Sequence, residues 1–104
     1  MRKIYGGLPL LKRKDARYEE LLALQNEGKI SDLRCQEEFV LIPQQNDENG
    51  HCLDREVTYY PDFVYFDHAE NRTVAEDLDD HRRCDFPIVR KLMLYVHGIK
   101  VKEL

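Results

Sequence analysis

Cysteine is scarce in this 104-residue chain, and the three present, Cys35, Cys52 and Cys84, are odd in number and widely spaced. That excludes a disulfide framework and fits thiols kept reduced in a cytoplasm. Zinc ligands could come from His51-Cys52 and His81-x-x-Cys84, but no paired C-x-x-C spacing supports such a centre. No apolar run approaches the roughly 18 residues of a membrane-spanning helix. Arg2 and Lys3 precede only a short apolar stretch before Lys12-Arg13-Lys14, too little for a signal peptide. Repeats, low-complexity tracts and linkers are also missing, so a single domain over residues 1–104 is expected. What is there suits an ordered core: hydrophobic residues make up 42% and charged ones 35%, which argues against disorder.

The net charge of −4 conceals a basic–acidic–basic pattern. Residues 1–34 carry 8 basic and 5 acidic side chains, residues 35–80 carry 2 and 13, and residues 81–104 carry 6 and 2. The two ends could contact phosphates while the middle gathers carboxylates. On charge alone, a solvated surface explains the pattern as well.

Apolar positions at helical spacing, Tyr18, Leu21, Leu22 and Leu24, predict a first helix over about Lys14 to Glu27, closed by Gly28 as its C-cap. The chain is then extended from Ile30 to Ile42, and Asn49-Gly50 marks a hairpin turn. Val, Tyr and Phe predict one strand over Glu56 to Asp67, a polar turn over Asp67 to Arg72 and a second strand over Thr73 to Asp79. A second helix follows Asp85 as N-cap, with Pro87 in its first turn and Gly98 past its end. Ile88, Val89, Leu92, Met93 and Val96 form its apolar stripe, with Arg90, Lys91 and His97 off it. Ile99 to Glu103 alternates as a final strand. The fold class expected is α/β, in the order helix, three-strand meander, helix, strand.

Two carboxylate placements exceed what a generic fold needs. Asp62 follows Pro61 inside the most apolar strand, where a charge needs compensation. Asp77 and Asp79, two apart on a strand, would share one face at roughly 6–7 Å. Like charges so placed destabilise one another unless a cation lies between them, and magnesium needs only one or two protein carboxylates. The bland alternatives are a solvated Asp79-Asp80 pair where strand gives way to loop, and an Asp62 satisfied by backbone amides or an arginine.

Five ordered segments across residues 12–104 carry a resemblance. They are Lys14-Asp15-Ala16-Arg17-Tyr18; Cys35-Gln36 with Phe39-Val40-Leu41; Thr58-Tyr59-Tyr60-Pro61-Asp62-Phe63-Val64-Tyr65; Glu76-Asp77-Leu78-Asp79; and Phe86 through Arg90-Lys91-Leu92 to Tyr95, Gly98-Ile99 and Glu103. Together they resemble a family of small phage- and prophage-encoded proteins with a PD-(D/E)XK nuclease core, often described as Holliday-junction-resolvase-like phage endonucleases. The resemblance implies a restriction-endonuclease-like core and a bacterial host cell. It also implies Mg²⁺ or Mn²⁺ held by Asp62 and Asp77, with Asp15 as a third carboxylate and Gln36 orienting a water or ligand. The motif lysine, however, is replaced by Asp79, and Asp80 stands where the family has glycine. Some restriction enzymes of this superfamily carry a carboxylate at the lysine position. Alternatively, Lys91 or Arg90 would supply the cation.

The function implied is a metal-dependent endonuclease on branched or structured DNA, an analogy of fold. Phosphates would be contacted by Lys12, Arg13, Lys14 and Arg17 on one side and by Arg82, Arg83, Arg90 and Lys91 on the other. Cutting both strands of a junction would favour a homodimer. The rival expectation is a catalytically silent nuclease fold that binds DNA, or a host defence protein through its acidic middle.

Overall fold

The computed structural model describes residues 10–79 and 84–104, which form a mixed α/β structure. In chain order its elements are α1 (Leu10–Asn26), β1 (Ile30–Cys35), β2 (Phe39–Ile42), β3 (Gln45–Asn46), β4 (Cys52–Asp54), β5 (Val57–Tyr59), β6 (Phe63–Asp67), β7 (Arg72–Asp77), α2 (Phe86–His97) and β8 (Lys100–Glu103). The main sheet has the order β1-β6-β7-β8. Its first three strands are antiparallel neighbours, and β8 joins β7 in parallel, as a strand returning through a helical crossover must. No helix among the described residues is long and apolar enough to cross a membrane.

The single strand expected over Glu56 to Asp67 is divided. Pro61 has no N–H to give a ladder, and the chain changes partners there: β5 pairs with β2, whereas β6 pairs with β1 and β7. The extended stretch from Ile30 is divided likewise into β1 and β2. Between β1 and β6 the chain therefore runs out through two short ribbons, β2–β5 and β3–β4. Asn49-Gly50 turns the outer one, with Gly50 at φ +83°, in the left-handed region that glycine enters freely.

Alternation along β6 and β7 sorts the core into two layers. Phe63, Tyr65 and Val74 join Leu21, Ile30 and Leu78 on the α1 side. Val64 and Ala75 join Tyr59, Phe86, Val89 and Met93 on the α2 side. Glu76 therefore projects towards α1 and Asp77 towards α2.

Helix α1 begins four residues earlier than expected, bringing Leu10 and Leu11 into the helix. Helix α2 has the predicted ends: Gly98 adopts φ 68° and its N–H and that of Ile99 bond the carbonyls of Leu94 and Met93. Its buried face differs from the expected stripe, for Phe86, Val89 and Met93 are buried while Ile88 and Val96 are 60% and 46% exposed. Ile88 lies about 100° round the helix from Val89, and Val96 is in the last turn. The Asp85 side chain makes no capping hydrogen bond, and its carbonyl instead receives the Ile88 and Val89 amides.

Strand β1 contains a register shift between Ser31 and Arg34 against β6, with Asp32 at φ 58°. On the far edge of the sheet, Lys102 of β8 bonds Glu70 at 2.6 Å, and Lys100 lies 3.4 Å from the same carboxylate.

Candidate functional site

The partner change at Pro61 leaves Asp62 between strands, where its main chain still holds the sheet. Its N–H donates to the Glu76 carbonyl at 3.0 Å, and its carbonyl accepts the Gln36 N–H at 3.1 Å. The carboxylate is 8% exposed. One oxygen, Oδ2, accepts the Leu78 N–H at 2.8 Å, and Oδ1 lies 2.7 Å from Lys14 Nζ. Burial of the charge is thus compensated by an amide and a cation, as a buried carboxylate requires.

Asp77, 6% exposed, is held from the other side of the sheet. Tyr59 Oη donates to its Oδ2 at 2.5 Å, and the Asp79 N–H donates to Oδ1 at 2.9 Å. The amides that bind Asp62 and Asp77 belong to consecutive residues, so one dipeptide anchors both carboxylates. The expected face shared by Asp77 and Asp79 is not formed, because β7 ends at Asp77 and the chain turns on the Asp77 carboxylate. Asp79 is half-buried beyond the strand.

Glu76, fully buried and next to Asp77 in β7, was quoted in the motif without a role. Arg17 reaches it from α1 with a two-pronged bond, Nε to Oε1 at 2.7 Å and Nη2 to Oε2 at 2.5 Å, and Tyr65 Oη donates to Oε2. Arg17 also bonds Glu20 at 3.0 Å. The hydrogen bond to Glu76 raises the Arg17 pKa despite its burial. Burial first, and then the Glu76 charge, pushes the Tyr65 phenol well above its ordinary value. The guanidinium expected at DNA phosphates is thus engaged in joining α1 to the sheet.

The Tyr65 shift has a sign that can be tested. A phenol whose folded pKa exceeds its unfolded value contributes stability that is complete below the unfolded pKa, about 10, and is lost as pH rises towards the folded value. Unfolding stability should therefore fall above about pH 10, by up to about 1.4 kcal/mol per pH unit from this group. Tyr65→Phe should flatten that limb in denaturant titrations at pH 9 to 11. Equal slopes in the two proteins would remove Tyr65 from the account.

An open cavity of ≈ 250 Å³ lies over Asp62, between α1 and the end of β1. Lys14, Asp15, Gln36 and Asp62 all line it, so four of the residues singled out in the sequence meet there. Cys35 is also at its wall, and partial burial raises that thiol's pKa, which argues against a thiolate nucleophile. Lys91 and Arg90 do not line it. Arg90 pairs with Glu103 at 3.5 Å, and the cation beside Asp62 comes from α1 instead. Lys12 is exposed and Arg13 half-buried on α1, while Asp80, Arg82 and Arg83 fall outside the described residues. Tyr59, Glu76 and the Lys14–Asp62 pair were not foreseen. A strand buried on both faces was the available signal for Glu76, since its neighbour Asp77 had to face the opposite way.

Among the described residues no three His, Cys, Asp or Glu side chains are grouped to hold a metal. Asp62 and Asp77 nevertheless offer hard oxygens only, and they are held from opposite sides of the sheet, Asp62 alone of the two lining the cavity. Such a ligand type suits magnesium, which often needs only one or two protein carboxylates. It does not fit zinc, which favours nitrogen and sulfur ligands.

A family model described as a protein of unknown function (DUF1064) matches residues 10–102. No curated protein and no solved structure matches the chain.

Proposed function

The chain belongs to the DUF1064 family, and from that premise and its own residues we propose a divalent-metal-dependent endonuclease that hydrolyses phosphodiesters in structured or branched DNA. The observation that carries the reading is the Asp62–Asp77 arrangement: two buried carboxylates on consecutive amides, with Lys14 Nζ 2.7 Å from one of them. Carboxylates for a metal and an ammonium for phosphate charge are the groups such chemistry uses. The order α1, β1, β6, β7, α2, β8 around one sheet supports the finer fold reading, a restriction-endonuclease-like core. Work in the cytoplasm of a bacterial host, on DNA and as a homodimer, is part of the same proposal.

Asp62 and Asp77 would hold Mg²⁺ or Mn²⁺, with Asp15 as a neighbouring carboxylate. Bound there, the ion would polarise the scissile phosphate and lower the pKa of the attacking water. The protein's own part is positioning and charge. Tyr59 fixes Asp77 through its hydroxyl. Lys14, presented from α1, stands in the role of the missing motif lysine and offsets charge that develops on the phosphate. Lys12 and Arg13, on the same helix, would draw the DNA backbone to the cavity.

The test is a cleavage assay on linear, flap and four-way DNA with Mg²⁺ and with Mn²⁺, using Asp62→Ala as control. Cleavage lost in the variant is the expected result, and an inert natural protein on every substrate would overturn the enzyme reading. A second readout is thermal. Millimolar Mn²⁺ should raise the melting temperature, since an ion bound only to the folded state stabilises it, and Asp77→Asn should abolish the rise. No rise in the unmutated protein would remove the metal site.

One observation favours the silent binder instead: Lys14 already neutralises Asp62, so the carboxylate does not require a metal. The acidic middle supports that reading less than its charge count suggests, because Asp62, Glu76 and Asp77 are buried and withdrawn from any surface that imitates DNA.

A further inference from the structure

The cavity over Asp62 holds more than the carboxylate site uses. Its wall is aromatic and apolar: Tyr18 stacks on Phe63 with centroids 6.1 Å apart and planes at 18°, and Leu11 stands two turns earlier on the same helix. Phe63 is buried and Tyr18 is 37% exposed, so the tyrosine is the outer member of the stack.

Two exposed polar side chains line this cavity, the Asp15 carboxylate and the Gln36 carboxamide, and neither is tied to another described residue, so both are available to a ligand. Gln36 is also held at φ 49°, a left-handed conformation that glycine would occupy without strain. A non-glycine residue kept there points to use of its side chain. A flat apolar wall with a few convergent polar groups is the chemistry of a small-ligand pocket. At ≈ 250 Å³ the space falls below the roughly 300–1,000 Å³ of drug-sized sites and suits one planar ring system.

The sign of the polar groups selects the ligand. A carboxylate repels a phosphate but accepts N–H donors, and an amide both donates and accepts. Nucleobases carrying an exocyclic amino group present donors and acceptors side by side on an edge, with a face that stacks on an aromatic ring. We propose that this cavity receives one unpaired, amino-bearing base of a DNA strand, stacked against Tyr18 and read along its edge by Asp15 and Gln36. The choice of DNA rests on the nuclease reading, and the inference deepens it: the enzyme would act where a base is already unpaired, because a paired base cannot enter the cavity.

The experiment is fluorescence anisotropy in EDTA, so that binding is read without cleavage. Labelled oligomers of about ten nucleotides, within the site sizes that single-strand binders occupy, would be oligo-dC, oligo-dT and a base-free backbone of equal length. Their phosphates are alike, so differences report the bases. Oligo-dC should bind about tenfold more tightly than the base-free strand, in keeping with the contribution of stacking one base on an aromatic ring, with oligo-dT between them. Tyr18→Leu keeps an apolar helix former and should bring the three affinities together. Gln36→Gly should weaken oligo-dC binding while its melting temperature stays level or rises, which separates loss of recognition from loss of fold. Equal affinity for oligo-dC and the base-free strand overturns the proposal, as does an undiminished preference in Tyr18→Leu. Cleavage in the metal assay alongside either of those results would leave the nuclease reading standing. Base-selective binding by a protein that cuts nothing would do the reverse.

Discussion

Arg17→Ala should lower unfolding stability by about 3–5 kcal/mol, the typical effect of removing one partner of a buried ion pair. Glu76 is 0% exposed and, among the described residues, would keep only the Tyr65 hydroxyl as partner for its charge. Total stability of small domains is about 5–15 kcal/mol, so the loss would be a large share of it. Urea titration measures the change directly. The triple variant Arg17→Met, Glu76→Leu, Tyr65→Phe should recover most of the loss, because exchanging a whole buried polar group for apolar residues of similar volume is often neutral, whereas leaving Tyr65 would orphan its buried hydroxyl. A loss below about 1 kcal/mol in Arg17→Ala would mean that the pair is relaxed or wet, as surface pairs are, and would undo the structural role given to Glu76.

The second large effect concerns Lys14. If its ammonium offsets charge on the scissile phosphate, Lys14→Ala should reduce cleavage by about 10²–10³-fold, the scale seen when one preorganised electrostatic group is removed from an active site. Asp79→Lys in that background should restore part of the rate. Asp79 is bonded through its amide to Asp77, so a lysine there starts beside the second carboxylate of the site. In the unmutated background the same substitution should raise cleavage by at least about tenfold, which takes only some 1.4 kcal/mol of transition-state stabilisation. Loss of activity on Asp79→Lys would instead assign Asp79 itself to the chemistry. A Lys14→Ala enzyme with the natural rate would leave the ion pair as a purely structural contact.

What the sequence made legible is what local chemistry decides. Gly98 ends α2 because a left-handed residue is needed there, and Asn49-Gly50 turns a hairpin for the same reason. Both are visible within a few residues. The division at Pro61 was harder, since the β-forming residues run through it from Val57 to Asp67 and only the missing N–H hints that the strand changes partners. The reading of Asp77 and Asp79 failed on a strand end: alternation holds only while the ladder lasts, and β7 stops two residues short of Asp79. Arg17 looked like one more member of a basic cluster. Its partner lies 59 residues away, a separation that no local pattern reports. Lys14 went to the phosphates for the same reason, although Asp62 had been recognised as a carboxylate in need of a compensating group.

The two outer strands of the main sheet have a consequence for how the protein behaves in a crowded solution. An uncovered sheet edge is a template for another chain's strand and a route to aggregation. Here one rim is interrupted by the irregularity at Ser31–Arg34, and the other bears Lys100 and Lys102, so neither offers a flat, uncharged row of backbone groups. Growth of the sheet from molecule to molecule is therefore opposed at both rims. Among the described residues, that leaves side chains on the helices and ribbons as the surface for a symmetrical assembly, which makes self-association a matter of surface complementarity that single substitutions can tune.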